Sequence, residues 1–382
     1  MNREKLLGIV LATAFTSFTI SYLIHHPKIE GNIYSDIVSF WYSPLVREVK
    51  IPYVDEGFAY PPISGFIVYL SALIGKGELI PYYNTFSMIL YLFYLLLVIT
   101  IFKIMNRKNI PILYLFIFLI FSPSMIVYLN YNFDIVFASL LMLSLILYEK
   151  GKYKLSALAF CATALAKLIN LILLPLMLSY LKSWKSKVSY IVYSIFPFLG
   201  VNLVLQIINP NFLSDTYLFH AEWGLENAWF LYLFPSNESW DTAKLFSALI
   251  MVYGVFKIYL TNVGDIYERA FMLLSVFLLT NYVFTPQMVI WLLPFLAIMG
   301  RLPITFYILE VANVGIILTW FMVDNPLAPG ALPQNLALIR AAALLYMLIE
   351  TYLLSSKRYT ISQEFKEFLE KFFKNIKVSL KQ

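Results

Sequence analysis

The chain has 382 residues, of which 60% are hydrophobic, 18% aromatic and only 13% charged, with a net charge of +6. Soluble domains carry about 25% charged residues, so this composition excludes an ordinary soluble globular protein. Apolar stretches near the length of a spanning helix recur along the chain and predict a polytopic all-α membrane protein. The single cysteine excludes a disulfide framework, and three histidines offer little for a metal cage. The basic charge is typical of cytoplasmic anchoring and does not indicate nucleic-acid binding.

The first apolar segment, 6–24, follows Arg3 and Lys5. It is too long for the core of a signal peptide, so we expect a retained helix. Further apolar segments follow at 61–76, 84–102, 110–128, 133–148, 155–167, 168–181, 187–208, 242–260, 269–284, 287–300, 303–323 and 337–354. Together they predict a bundle of about twelve or thirteen transmembrane helices within residues 1–356.

Basic residues predict the orientation, because cytoplasmic loops of membrane proteins are enriched in lysine and arginine. The clusters expected in the cytoplasm lie at 103–108, 150–154, 182–187 and beyond 357. The segment 209–241 carries five acids and neither lysine nor arginine, so it is predicted to be extracytoplasmic. The first large loop, 25–60, is expected on the same outer face.

One region does not fit this pattern. Two apolar segments, 61–76 and 84–102, separate the outer loop 25–60 from the inner cluster at 103–108. Either 61–76 is re-entrant or the charge rule fails there, and the sequence leaves both readings open.

The C-terminal tail, 357–382, combines apolar residues at helical spacing with interspersed lysines. The apolar positions are Phe365, Phe368, Leu369, Phe372, Phe373 and Ile376. This pattern predicts a basic amphipathic helix on the cytoplasmic leaflet of the bilayer.

The first outer loop contains the densest group of polar and aromatic residues. It reads IYSDIVSFWY at 33–42, then Arg47, then IPYVDEGFAYPP at 51–62. Asp36 lies among apolar and aromatic residues that predict a short amphipathic helix at the membrane interface. Partial desolvation there raises the pKa of a carboxylate, which suits a general base. The alternative is an aromatic interfacial belt with incidental acids.

Four further stretches carry motifs in a fixed order: SPSMIVYLNYNFD at 122–134, the hairpin 150–175 with ALAKL at 164–168, NFLSDTYLFH at 211–220, and NYVFTPQ at 281–287 followed by Trp291 and Pro294. With the first loop, they resemble the GT-C glycosyltransferases, integral-membrane enzymes that use lipid-phosphate sugars. The resemblance is greatest to the polyprenol-phosphate-mannose-dependent mannosyltransferases, including the GPI mannosyltransferase I type. Five matches in order, over residues 33–294, favour this interpretation over chance.

The sequence also departs from that family. The GPI enzyme has an Asp-x-Asp pair in its first loop, whereas this chain has the single acid Asp36 in SDIV at 35–38. The polar turn 130–134 lacks the usual Gly-Asn-Ala-Glu. The single acid gives little support for a divalent metal, and no metal ligands are assigned.

The resemblance implies an inverting transfer of a hexose, with mannose expected, from a polyprenyl- or dolichyl-phosphate donor to a glycolipid or glycan acceptor. The reaction would take place on the extracytoplasmic face of the plasma membrane. Asp36 is expected to be the base, and Arg47, Lys167 and His220 are expected to bind the donor phosphate or sugar. Expected acceptor or support residues are Tyr60, Asp134, Tyr217 and Gln287.

Several of these residues have simpler interpretations. Lys167 can extend from an apolar hairpin to the membrane surface, and His220 can be an ordinary interfacial residue. Asp134 and Gln287 begin apolar segments, where helix N-caps often occur. Asp55 and Glu56 are expected to be solvated loop acids.

The rival class of function is a multispanning transporter or lipid-linked-sugar flippase. A transporter would favour inverted repeats with broken helices at matching positions. No such symmetry is found in the sequence, and the acids lie on the outer loops. A non-enzymatic scaffold is the third alternative.

Overall fold

A computed structural model describes residues 3–261, 263–300 and 305–356. The described chain is helical apart from turns, loops and two isolated β-bridges, and it forms an all-α polytopic membrane protein. The predicted tail helix at 357–382 lies outside the described residues. Contacts divide the chain into two compact units. Unit 1 contains Met1–Gly224 and Thr285–Ile298, and unit 2 contains Leu225–Phe284 and the described residues from Met299 onward.

The α-helices in chain order are α1 (Arg3–Ile24), α2 (Asp36–Trp41), α3 (Pro44–Arg47), α4 (Pro62–Gly75), α5 (Leu79–Lys108), α6 (Leu113–Leu115), α7 (Pro123–Tyr128), α8 (Asp134–Glu149), α9 (Tyr153–Ala166), α10 (Leu174–Ser179), α11 (Trp184–Ile208), α12 (Trp240–Thr261), α13 (Ile266–Thr280), α14 (Leu293–Met299), α15 (Phe306–Trp320) and α16 (Leu332–Ser355). Short 3₁₀ or π turns cover Phe116–Ile120, Leu168–Leu173, Ser214–Leu218, Phe219–Glu222, Trp229–Tyr232, Asn237–Ser239 and Pro286–Trp291.

Every predicted apolar segment is therefore helical over most of its length. Five helices of the described chain are long and apolar enough to cross a membrane: α1, α5, α11, α12 with the turn before it, and α16. The other apolar helices are shorter or interrupted. The predicted interfacial helix of the first loop is present as α2.

The packing of α1 against α5 bears on the ambiguity at 61–76. Ser17 hydrogen-bonds the Tyr94 hydroxyl at 2.9 Å, and Tyr22 donates to Asn84 at 2.7 Å, so the two helices run antiparallel. Helix α5 therefore begins at the end of unit 1 where α1 finishes. The chain between them, which includes α4, makes no net crossing.

Helix α4 itself supports the re-entrant reading. Its 14 residues extend about 21 Å, less than the hydrocarbon thickness of about 30 Å. It begins directly after the loop 25–60, and the turn after it returns to the same loop, because Trp41 Nε1 donates to Gly77 O at 2.9 Å. With α4 re-entrant, the cluster at 103–108 lies opposite the loop 25–60, as the charge rule requires.

The two ends of unit 1 differ in charge. Helix α8 runs from Asp134 at one end to Glu149 at the other, where Glu149 forms an ion pair with Arg107 at the end of α5. Next to it, Tyr148 donates to Met177 O at 2.6 Å, close to the lysines of 150–154 and 182–187. The basic clusters thus share one end, and Asp134 lies at the other.

Unit 2 is organised around a buried arginine. Arg340, fully buried on α16, donates to Asn313 Oδ1 at 2.9 Å and to Asn227 O at 2.9 Å. A charge inside a membrane helix is costly unless it is paired. Burial raises the pKa of the neighbouring Glu226, and the Arg340 charge opposes that shift.

Candidate functional site

Asp36 occupies the first turn of α2. Ser35 caps this helix by accepting from Val38 N at 3.4 Å, a normal start signal for a helix. Ile37 is completely buried beneath the helix, whereas Asp36 is only partly buried. The local sequence therefore fixes α2 by its apolar face and leaves the carboxylate at the edge of the packed core.

The polar turn before α8 holds the Asp36 carboxylate. Asn132 Nδ2 donates to Asp36 Oδ2 at 2.7 Å, and Ile37 N donates to Tyr131 O at 3.3 Å. Asn132 also hydrogen-bonds Tyr60, and burial together with the Asp36 charge raises the pKa of Tyr60. Asp36, Asn132 and Tyr60 thus form one hydrogen-bonded group from three distant parts of the chain.

Asp134 and Lys167 form a buried ion pair next to that group. Lys167 Nζ lies 2.7 Å from Asp134 Oδ1, and Trp291 Nε1 donates to the same oxygen at 2.7 Å. The ammonium also lies 5.0 Å from the centre of the Trp291 ring. Asp134 is fully buried, and its Oδ2 has no hydrogen-bond partner among the described residues.

These contacts decide two interpretations left open by the sequence. Asp134 is not an N-cap: Phe133 is the cap residue of α8 and makes no side-chain cap bond. Lys167 does not extend to the surface but turns inward, since the chain leaves α9 in extended conformation at this residue.

The segment 211–220 closes over the first loop within unit 1. Thr216 Oγ1 donates to Phe58 O at 3.0 Å, and the His220 ring lies 5.8 Å from the Tyr60 ring. His220 also hydrogen-bonds the Ala59 backbone. Burial lowers the pKa of His220 and the Lys167 charge adds to this effect, so at neutral pH the ring is a hydrogen-bonding group without charge.

Five of the eight predicted site residues are therefore brought together: Asp36, Tyr60, Asp134, Lys167 and His220. We call these five residues the loop cluster. Gln287 lies on the same 3₁₀ turn as Trp291 and is buried, with its Oε1 lacking a partner among the described residues.

Two further predicted site residues, Arg47 and Tyr217, make their contacts outside the loop cluster. Arg47 is exposed, donates to Tyr42 O at 2.8 Å and lies over the Trp41 ring. Tyr217 donates its hydroxyl to Asn202 Oδ1 on α11 at 2.7 Å. Neither contact is with a member of the loop cluster.

Two residues important to the geometry were not assigned roles from the sequence. Asn132 orients Asp36, and Trp291 orients Asp134. Both residues lie inside the ordered sequence motifs, so the sequence indicates the region in which they occur. Only the packing of α8 against the 286–291 turn shows which carboxylate each one contacts.

The residues present do not form a metal centre. In the described ranges, no group of three or more His, Cys, Asp or Glu side chains could hold an ion. The Asp36 carboxylate accepts a hydrogen bond from the Asn132 amide, and the Asp134 carboxylate accepts one from the Lys167 ammonium, so each acid has its own partner.

Comparison with known proteins adds no assignment: no protein-family model matches the chain, and a search of curated proteins also gives no match. The function must therefore be inferred from the site itself.

Proposed function

We propose that this protein is a membrane glycosyltransferase of the GT-C type. It would move a hexose, with mannose expected, from a polyprenyl- or dolichyl-phosphate donor to a glycolipid or glycan acceptor on the outer face of the plasma membrane. The observation that carries the proposal is the loop cluster, in which a partly exposed carboxylate, a buried ion pair and a neutral histidine meet opposite the basic end of unit 1.

In this proposal Asp36 is the general base. One of its oxygens accepts from Asn132, which orients the carboxylate, and the side chain remains partly exposed to an incoming acceptor. Asp36 takes the proton of the acceptor hydroxyl as that oxygen attacks C1 of the sugar. The bond from C1 to the phosphate oxygen breaks with inversion, and the polyprenyl phosphate leaves with its negative charge.

The departing phosphate needs hydrogen-bond donors and positive charge. Lys167 supplies the positive charge of the loop cluster, although Asp134 already neutralises part of it. The neutral His220 ring donates its one N–H to the Ala59 backbone, which leaves the other ring nitrogen as an acceptor for a hydroxyl of the donor sugar. Arg47 supplies an exposed guanidinium on the same loop, whose planar fork suits a phosphate.

Asp36→Asn tests the proposal because the amide keeps the shape of the side chain but cannot take the proton. We expect hexose transfer to fall about 10²–10⁴-fold while donor binding is retained. The assay incubates purified protein in nanodiscs with radiolabelled polyprenyl-phosphate mannose and a panel of lipid acceptors.

Asp55→Asn is the matched control, since Asp55 is an exposed acid of the same loop that accepts from Ile51 N. It should leave transfer nearly unchanged. Near-full activity of Asp36→Asn together with loss in Asp134→Asn would move the base to Asp134. In proteoliposomes, movement of the lipid-linked sugar across the bilayer without transfer would favour the flippase class.

A further inference from the structure

The mechanism proposed above makes no use of the most buried histidine in unit 1. His25 follows the last residue of α1 and is completely shielded from solvent. Both of its ring nitrogens face backbone carbonyls: Nδ1 lies 2.9 Å from Ile33 O, and Nε2 lies 2.5 Å from Val127 O. A carbonyl oxygen only accepts, so a protonated ring donates to both carbonyls, whereas the neutral ring donates its one N–H to one carbonyl and packs against the other.

The two carbonyls belong to the two segments that build the Asp36 site. Ile33 lies just before Ser35 and Asp36, at the start of the segment that becomes α2. Val127 lies in α7, just before the turn that carries Asn132 and Asp134. One side chain therefore joins the backbone that presents the carboxylate to the backbone that presents its hydrogen-bond partner.

The surrounding contacts strengthen this link. Ile33 N donates to Ile24 O at 2.7 Å, which closes the loop after α1, and Asn130 N donates to Ser21 Oγ at 3.0 Å. Both segments are thereby anchored on the end of α1, and His25 lies between them. The next residue, His26, is only partly buried, accepts from Lys28 N and packs against Tyr22 and Tyr83. It is therefore adjacent to His25 in the sequence but does not join the two segments.

We propose that His25 is a positioning residue that sets the register between Asp36 and Asn132 by bridging Ile33 and Val127. The inference rests on the proposed function for its kinetic consequence, because Asp36 acts as the base only when it is held in one orientation. A shift of about 1 Å at a reacting group can cost about 10²-fold in rate.

Two substitutions each retain half of the bridge. The amide nitrogen of asparagine occupies the place of Nδ1, and that of glutamine occupies the place of Nε2. His25→Asn can therefore still reach Ile33 O, and His25→Gln can still reach Val127 O, but neither joins the two segments. His26→Gln is the control for a histidine change at the same turn.

The experiment measures kcat and the donor KM of the full chain in nanodiscs, with amide hydrogen exchange over residues 33–42. For both His25 variants we expect kcat to fall about 10- to 100-fold, a donor KM within about twofold, and faster exchange of the Ile37 amide. His26→Gln should match the wild type in all three. The unfolding temperature of each variant gives the folded fraction to which kcat is referred.

Wild-type kcat per folded molecule and unchanged exchange in either His25 variant would overturn the inference. A lower unfolding temperature with unchanged kcat and exchange would also overturn it, because that result describes a purely structural histidine. If the wild type transfers no hexose, the proposed function fails, but the exchange measurement still decides whether His25 joins the two segments.

Discussion

The pairing of Asp134 with Lys167 changes what a single substitution at Lys167 can show. From the sequence, replacing this lysine by methionine should remove a phosphate ligand and keep the packing volume. In the structure the ammonium neutralises a fully buried carboxylate. Removing one partner of such a pair leaves an uncompensated buried charge, which is far more costly than the loss of an exposed pair.

Lys167→Met should therefore destabilise the protein by about 3–5 kcal/mol. The double variant Lys167→Met with Asp134→Asn should recover most of that loss, because no unpaired charge remains. Unfolding of the purified protein in detergent, followed for both single variants and the double variant, measures the coupling. Equal stability of Lys167→Met and the wild type would show that Lys167 does not pair with Asp134.

His220 gives a dependence of stability on pH. Its pKa is lowered from the ordinary value of 6.5 by burial, so the unfolded state binds more protons than the folded state just below that pH. The free energy of unfolding is therefore not reduced by His220 protonation above pH 6.5. It should decrease as the pH falls from 6.5 to the folded-state pKa of His220. Burial also lowers the pKa values of His25 and His26, although the backbone hydrogen bonds of His25 to Val127 and Ile33 oppose its shift.

Unfolding temperatures measured between pH 7.5 and 5.0 should show this loss, and His220→Gln should reduce the slope without abolishing it. An identical slope in the variant would mean that His220 titrates normally in the folded protein.

At the scale of secondary-structure elements, the position of α4 depends on a close backbone contact. Gly77, in the turn between α4 and α5, has a φ of +72°, and a Cβ at this residue would lie 2.3 Å from Arg47 O. The loop 25–60 can therefore pack against the turn only because the residue is glycine. The Trp41 bond to Gly77 O depends on the same approach.

Gly77→Ala should lower the unfolding temperature by more than Gly31→Ala. Gly31 has the same φ of +72°, but a Cβ there meets nothing within 4 Å, so its substitution costs only the left-handed strain of about 1–2 kcal/mol. Thermal unfolding of both variants isolates the added cost of separating the loop from the turn. Equal losses would argue against the contact that keeps α4 on one side.

At the scale of the whole molecule, charge and topology agree once α4 is re-entrant. The loop cluster and the basic turns lie at opposite ends of unit 1. The charge rule then predicts that the cluster faces the outer side of the membrane. Under the proposed function, this orientation would let a lipid-linked sugar phosphate at the outer interface reach Asp36.

Single cysteines in a Cys161→Ala background test the topology with a membrane-impermeant reagent in intact cells. Cysteines at Lys76 and Ser236 should be labelled, and a cysteine at Ser186 should be labelled only after permeabilisation. Labelling of Ser186 but not Ser236 would reverse the placement of the proposed active site. Labelling at Lys76 only after permeabilisation would show that α4 spans the membrane.

The sequence by itself determined the membrane class, the positions of the helices and the residues at which polar groups gather. It could do so because apolar run length, lysine distribution and cap residues act locally along the chain. The short helix α2 with Asp36 at its start could be predicted for the same reason. The absence of a net crossing between α1 and α5 could not, because a segment with the length and composition of α4 fits either topology.

Only the tertiary structure decided which polar residues meet. That Lys167 pairs with Asp134, that Asn132 orients Asp36, and that His25 joins Ile33 to Val127 all depend on contacts between residues far apart in the chain. A buried polar group must find a partner when water is removed, but the sequence does not show which distant group packing will bring within reach. Arg47 and Tyr217 illustrate the same point. Both side chains have polar groups suited to a binding site, but packing directs them to Tyr42 and Asn202 instead of the loop cluster.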